Sequence, residues 1–556
     1  MSRQSCVPKL IGGDVELGNF IIGAGNSSKM TDYEASRLLL SQVEGLPNQR
    51  PQDYDYAFDW HSSAAVNGPV NHGGQSQDFG RRYLPCNGGC IYIDLNHLEL
   101  ATPEVLSARD YAAMWEAMLR LARQAQLAAN QNLADGKRIV VLANNSDRQG
   151  KSYGGHQSFL MSRTAWDNMI RLRMIPSLFN LMAFQASSIV FTGQGKVGSE
   201  NGQPWVPFQI SQRADFIETL LSVETTVNRP LINSRDEPLS GPKSRGKDGQ
   251  LPGDRYARLH VIFYDTNLAP VATYLKVGVM QLILTMIEAG FLDDSLALEK
   301  PLDALHAWSH DPELDVRMRL LSGQQMSAVE LQLKFLEQAR AFDARYGFEE
   351  FVEGAQQIIA LWEDTLLKLQ SRDMSGLQGR IDWIMKRALL EEALAEHPQW
   401  DWRSTELTYL DQIYSSLDPD DGLFLALQAA GHFEAIASEP EIAGFVSEPP
   451  ANTRAWTRAM LLRAVDPEQV QHVDWDRIVM RCADPGRRQT QIELPNPLGA
   501  TRSATRHAFS DSADFASLLQ RLHEVGVTSG TTDYVSTGMT VYPLQGYHYP
   551  FFNHSY

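Results

Sequence analysis

The sequence predicts an α+β fold in which strands fill the first half of the chain and helices most of the second, with an antiparallel sheet presenting polar side chains on one face. Three observations carry this. Polar and apolar residues alternate around Asp14 and Glu16 and again over 90–100, the period of a strand with one polar face. Amphipathic stretches with helical spacing are concentrated over 270–395. The break at Glu448-Pro449-Pro450 marks a boundary ahead of a small C-terminal unit.

Along the chain, the first strand falls within 9–25, and its period places Asp14 and Glu16, two apart, on the same face. Residues 46–90 are rich in Pro, Gly, Asn, Asp and His and read as one long irregular loop. A strand resumes over 90–100; Ala, Met, Trp and Leu recur at threes and fours over 109–133, predicting a helix; 137–143 is a strand, followed by a Gly-rich polar stretch, 144–158. Further strands are expected near 188–192, 205–211 and 258–264, and a Pro/Gly/Lys-rich surface loop over 238–254. Helices follow at 326–345 and 350–371, then the small unit at 450–524 and a Gly/Thr/Tyr-rich tail, 525–556, to which no role is assigned.

Composition narrows the function classes. An apolar share of 43% and a charged share of 21% are those of a folded soluble protein. A formal charge of −18 repels a phosphate backbone, so nucleic-acid binding through a broad basic face is excluded, while a local basic pocket for a nucleotide is not. The most apolar stretch, 277–292, is interrupted by Glu288, and 1–10 lacks the apolar core of a secretory signal, so no membrane partner and a cytoplasmic location are expected. Cys86 and Cys90 are four apart, but no second Cys or His pair with ligand spacing follows, which favours structural cysteines over a zinc site.

The chemistry-bearing residues are acids first. Asp14, Glu16, Asp94, Glu99 and Glu104 lie on or beside expected strands, and carboxylates gathered on one concave face call for a hard cation such as Mg2+; a solvated acidic strand face is the alternative. The polar stretch 144–157 lacks the Gly-Lys-Ser/Thr placement of a phosphate loop. Arginines over 213–235 have the planar fork that pairs bidentately with phosphate oxygens, with surface ion pairs as the alternative.

Longer strings are more specific. Phe208-Gln209-Ile210-Ser211-Gln212-Arg213-Ala214-Asp215, Arg229-Pro230-Leu231-Ile232-Asn233-Ser234-Arg235-Asp236-Glu237-Pro238, Arg258-Leu259-His260-Val261-Ile262 and Ala272-Thr273-Tyr274-Leu275-Lys276-Val277-Gly278 resemble the Pup ligase and Pup deamidase/depupylase family. So do Asp382-Trp383, Asp411 with Tyr414, and Pro449-Pro450 followed by Thr453-Arg454-Ala455, all in the family's order. The resemblance implies a glutamine-synthetase-like domain over 1–445, whose curved antiparallel sheet cradles ATP and Mg2+, and a small domain over 450–524. It implies Asp94 as the catalytic aspartate, and Asp14, Glu16, Glu99, His156 and His260 at metal-ligand positions. Arg213, Arg229 and Arg235 are implied on the ATP phosphates, with Trp475 beside the adenine. The implied partner is a Pup-like or ubiquitin-like protein modifier and its lysine conjugates.

Within the family, the long 46–90 segment and the Asp-x-x-His spacing of Asp94 and His97 resemble the depupylase branch, which implies an ATP-dependent amidase acting at the modifier's C-terminal Glu or Gln. A ligase joining the modifier to lysine, and a catalytically weakened modifier-binding scaffold, are the alternatives. Departures from the pattern are Asp14 in place of a glutamate, Leu98 and Leu100 beside the strand glutamate, Gln157 where a Glu follows the loop histidine, which implies one negative ligand missing, and an enlarged 239–254 insertion.

Overall fold

The computed structural model describes residues 6–23, 31–47, 79–134, 136–172, 175–237, 239, 255–481, 488–512 and 514–533. Its centre is β1 (Ile11–Ile22), in which Ile11, Val15 and Leu17 are buried on one side while Asp14 and Glu16 point to the other. Around it are β2 (Leu46–Pro47), β3 (Phe79–Tyr83), β4 (Cys90–Asp94), β5 (His97–Ala101), β6 (Arg138–Leu142) and β7 (Gly155–Ser162). Short ladders pair β8 (Lys196–Val197) with β9 (Phe208–Gln209), and β10 (Ile217–Ser222) with β11 (Arg229–Asn233). With β12 (Tyr256–Val261) the main sheet runs β12-β7-β1-β5-β4-β3-β2, with β6 also paired to β1. Its ladders are antiparallel, so the strand period carries the polar set onto one face of the whole sheet.

The apolar face packs against helices Ala108–Gln131 and Pro270–Ala289. The second starts with Pro at its first turn and ends at Gly290 in the left-handed region (φ 64°). It is long and apolar enough to cross a membrane, and its most apolar stretch is 94% buried inside the fold. Helices Ala328–Tyr346, capped by a reciprocal Ser327/Glu330 box, Ala355–Ser371 and Asp382–Glu396 continue the helical second half, broken by the two-residue ladder of β13 (Met318–Arg319) and β14 (Gln325–Met326).

Four expectations change. Residues 90–100 are two strands, β4 and β5, joined by Leu95-Asn96 with φ 44° and 80°, a tight hairpin turn that lacks the glycine by which such turns announce themselves. The β-branched run 188–192 closes the helix Ile175–Thr192, where burial on every side overrides strand propensity. In the expected loop 46–90, Leu46–Pro47 and Phe79–Tyr83 are strands of the main sheet, and 48–78 lie outside the described residues. Among the described residues, Glu104 joins no acidic cluster. Its carboxylate is clamped by Arg454 Nε and Arg458 Nη2, both at 2.7 Å, from the helix Ala455–Ala464 and its cap. Burial alone would raise its pKa, but the two guanidiniums outweigh it and hold Glu104 down at about 2.

Past that clamp, β15 (Val470–Asp474), β16 (Arg477–Arg481), β17 (Arg488–Glu493) and β18 (Thr528–Asp533) form a second antiparallel sheet, backed by helices Arg502–Asp511 and Phe515–Glu524. β18 reaches beyond residue 524, and the rest of the tail lies outside the described residues. The core of this unit, with Val473, Ile478, Ile492 and Leu522, also takes in Cys90, Tyr92 and Ala101, so it packs over one end of the polar face of the main sheet.

Candidate active site

Pairing across β1, β5 and β4 assembles the centre of that face. Glu16 lies opposite Glu99, Glu99 opposite Tyr92, and Asp94 opposite His97. Side chains of directly paired residues share a face, so acids far apart in sequence converge. Among the described residues, Glu16, Asp94 and Glu99 form one compact ligand group, with a carboxylate oxygen from each within 4.8 Å of the others. Two full charges at that separation repel by roughly 3 kcal/mol at an effective dielectric of about 20. Burial, with Asp14, Asp94 and Glu16 adding, pushes the Glu99 carboxyl well above the ordinary range, and the Tyr92 hydroxyl donates to it at 2.5 Å. A divalent cation removes the repulsion, so the donor set fits a hard metal ion.

Glu16 is oriented by the Gly154 amide, which donates to its Oε2 at 3.0 Å. Gly154 has φ 148°, and a Cβ there would fall 1.9 Å from Asn145 Nδ2 and 2.7 Å from Arg213 Nη1, so the close approach of backbone, acid and guanidinium needs glycine. Arg213 is 1% exposed. Its backbone is fixed by Asp265, which accepts from the Arg213 amide at 3.0 Å and from the Gln212 and Gln194 amides at 2.8 Å. Among the described residues, none of its three guanidinium nitrogens has a hydrogen-bond partner. Burial, with Arg229 adding, lowers its pKa to about 10. A buried cation with unsatisfied donors is costly unless an anion meets it.

Arg229 donates to the Ser152 carbonyl at 2.6 Å, and its Nε and that of Arg235 are buried with no hydrogen-bond partner among the described residues. His156 Nδ1 lies 2.8 Å from Asp14 Oδ1, and its ring meets that of His260 edge-on at 5.4 Å. Arg258, two residues before His260 on β12, donates to His260 Nδ1 at 2.9 Å; since a guanidinium only donates, the imidazole proton sits on Nε2. Burial, with Arg258 and His156 adding, keeps this imidazole neutral well below its usual pKa.

A neutral His260 with Nε2–H has a donor to offer an anion. Trp475 lies beside Tyr83 of β3 with Arg458 over its ring at 4.8 Å, on the side of the sheet away from β7 and β12. Gln157 points opposite to His156, as neighbours in a strand must, and is fully buried on the helix-packed face, so it is not a ligand lost from the site. Tyr92, Gly154, Arg258 and Asp265 were not assigned roles from sequence; the alternation Tyr92/Asp94 and Arg258/His260 is the signal that places two of them.

The family described as Pup-ligase protein matches residues 9–479. A depupylase of Acidothermus cellulolyticus is 36% identical over 422 residues, covering 75% of this chain and 78% of its own. The crystal structure of the complex between the prokaryotic ubiquitin-like protein Pup and its ligase PafA aligns with a TM-score of 0.72 at 25% identity, over 94% of this chain and 96% of that one. The Pup ligase PafA in complex with ADP aligns at 0.66 and 27% identity, over 81% and 93%. The acid-lined antiparallel sheet described above is therefore the sheet of a known architecture, and this chain belongs to the Pup-ligase protein family.

Proposed function

We propose that the protein is an ATP- and Mg2+-dependent amidase that cleaves an isopeptide or side-chain amide at the C-terminal Glu or Gln of Pup or a Pup-like modifier. The observation that carries this reading is the juxtaposition of the Glu16–Asp94–Glu99 cluster with the buried, unpartnered guanidinium of Arg213. Glu16 and Glu99 would hold the cation, with Asp14 and His156 as a paired flank. Arg213, Arg229, Arg235 and the Nε2–H of His260 would meet nucleotide phosphates. When bound, the magnesium ion would supply positive charge that screens the carboxylates from one another and from the nucleotide phosphates.

Asp94 sits at the turn end of the β4–β5 hairpin, where its carboxylate acts on the glutamyl carbonyl, either taking the proton of the attacking water or adding to the carbon itself. In the first route the amine leaves with that proton while the water's hydroxyl stays on the carbon; in the second the amine leaves with a proton from water and the hydroxyl then cleaves the bond to Asp94, so that either way the modifier is released with a side-chain carboxylate and Asp94 is regenerated. The depupylase relative and the Asp94/His97 spacing support hydrolysis. A second reading is favoured by the two aligned structures, both ligases: the same site run toward a lysine conjugate, with ATP consumed.

The test offers the protein, with ATP and magnesium, a Pup–lysine conjugate and, separately, free Pup ending in Glu with an acceptor lysine. Release of Pup, abolished by Asp94→Asn while nucleotide still raises Tm, supports the amidase; conjugate formation with phosphate release supports the ligase. Nucleotide binding with turnover of neither substrate overturns both and leaves the scaffold.

A further inference from the structure

The segment between β6 and β7 doubles back on itself. Ser146 pairs with Ser152, and Asp147 closes the tip by accepting from the Gln149 and Lys151 amides at 2.8 and 2.9 Å. The return limb enters the site: Ser152 offers its carbonyl to Arg229 and Gly154 its amide to Glu16. The placement of this one limb therefore sets a phosphate-side arginine and a cation-side acid together.

The outgoing limb is fixed from outside the hairpin, at Arg148. Its backbone is left-handed, φ 60°, a conformation that persists in a residue with a side chain only where the surroundings hold it. The guanidinium spans two anchors: Nη1 donates to the Val197 carbonyl of β8 at 2.6 Å, and Nη2 donates to Asp411 Oδ2 on the helix Thr405–Ile413. Asp411 also accepts from Lys386 Nζ at 2.9 Å and from the Val197 amide at 3.1 Å, and the Asp411 and Lys386 side chains are 2% and 1% exposed. Lys386 donates in turn to the Gly195 carbonyl, which it shares with the side chain of Gln212, the neighbour of Arg213. One buried carboxylate thus joins the hairpin that carries Gly154 to the segment that carries Arg213. Lys386 by itself balances the Asp411 charge, so what Arg148 adds is placement of the hairpin rather than neutralisation.

We infer that Arg148 is a positioning residue that latches the 146–154 hairpin to Asp411, so that Glu16 and Arg229 stand ready for a cation and a diphosphate. This rests on the proposed assignment of magnesium nucleotide to the site, and its test needs no turnover. ADP with magnesium is titrated into the full-length wild type, Arg148→Met and Arg148→Lys, and the same proteins are exposed to trypsin with and without that ligand. Lys151, exposed at the hairpin tip, is the cleavage point to follow, because it is present in all three proteins.

Without the latch the arriving ligand must order the hairpin itself. Arg148→Met should therefore bind ADP with magnesium roughly tenfold to hundredfold more weakly, the equivalent of one charge-assisted hydrogen bond. Arg148→Lys, which keeps the charge beside Asp411 but not the fork that also reaches Val197, should fall between. Coupling is reciprocal, so cleavage after Lys151 should be faster in Arg148→Met and slowed again by the ligand. Unchanged affinity in Arg148→Met overturns the inference. So does weaker binding accompanied by a general loss of urea stability with no faster cleavage at Lys151, the mark of a purely structural role, and so does a wild type that does not bind ADP with magnesium. Affinity and cleavage that respond as stated, in a protein that neither releases Pup from a conjugate nor forms one, keep the inference and sink the proposed chemistry instead.

Discussion

Replacing Glu104 with Gln leaves two guanidiniums inside the molecule with nothing to neutralise them. Arg454 and Arg458 have side chains 2% and 0% exposed, and both reach the same carboxylate at 2.7 Å. Breaking a buried pair from one side costs about 3–5 kcal/mol, because the surviving charge stays buried. The pKa gives an independent figure: a depression from 4.5 to about 2, at about 1.4 kcal/mol per pH unit, is about 3 kcal/mol. The sign follows from the depression. The contribution is complete above the unfolded-state value and is lost as pH falls from about 5 toward 2, where the folded carboxyl takes up its proton. Urea denaturation at pH 7 should show Glu104→Gln less stable by about 3 kcal/mol, and the difference between wild type and variant should shrink as pH is lowered from 5 to 3. Because the clamp joins the C-terminal unit to the end of β5, the unfolding of β15–β18 should lead. A variant within about 1 kcal/mol of wild type, or a difference independent of pH, would refute this account of the clamp.

Arg213→Met removes an unpartnered buried cation, so nucleotide-free Tm should be equal or higher while the Tm rise with ADP and magnesium is lost; a lowered nucleotide-free Tm refutes the idea that the guanidinium waits for an anion. In chelated protein, Glu99 keeps a proton that the unfolded chain gives up, so stability contributed there should fall as pH rises above the ordinary carboxyl range. Magnesium should reverse that trend and Glu99→Gln should flatten it, read as Tm from pH 5 to 8 with chelator and with magnesium. Leu95→Asn relieves a left-handed leucine in the β4–β5 turn and should gain roughly 0.5–1 kcal/mol by urea denaturation; a loss would argue against the turn conformation.

What could be read from the sequence follows the range over which a side chain's surroundings are local. Strand period alone puts Asp14 with Glu16, and it would equally have put Tyr92 with Asp94 and Arg258 with His260, because the alternation of β1, β4 and β12 belongs to each strand by itself. The same rule, applied to β7, tells that Gln157 cannot share a face with His156; treating it as a lost ligand compared residue types without asking which way each one points. Glu104 was legible only as another acid beside a strand, since the guanidiniums that claim it come some 350 residues later in the chain. The turn at Leu95-Asn96 carries no glycine, so nothing local marks it, yet it turns one apparent strand into two and sets Asp94 opposite His97.

Sheet register is what converts these separate strands into a site. Glu16 meets Glu99 only because β1 and β5 are paired at that register, and a one-residue slip of β5 would turn Glu99 into the helix-packed core, away from Glu16. The apolar positions between them, Val15, Leu17, Leu98 and Leu100, are fully buried and make such a slip prohibitive. The leucines that depart from the family pattern at 98 and 100 therefore sit on the face that locks the register, while the catalytic face keeps its carboxylates. Chemistry and packing are divided between alternate residues of the same strands, and that division is why substitutions on one face leave the other in place.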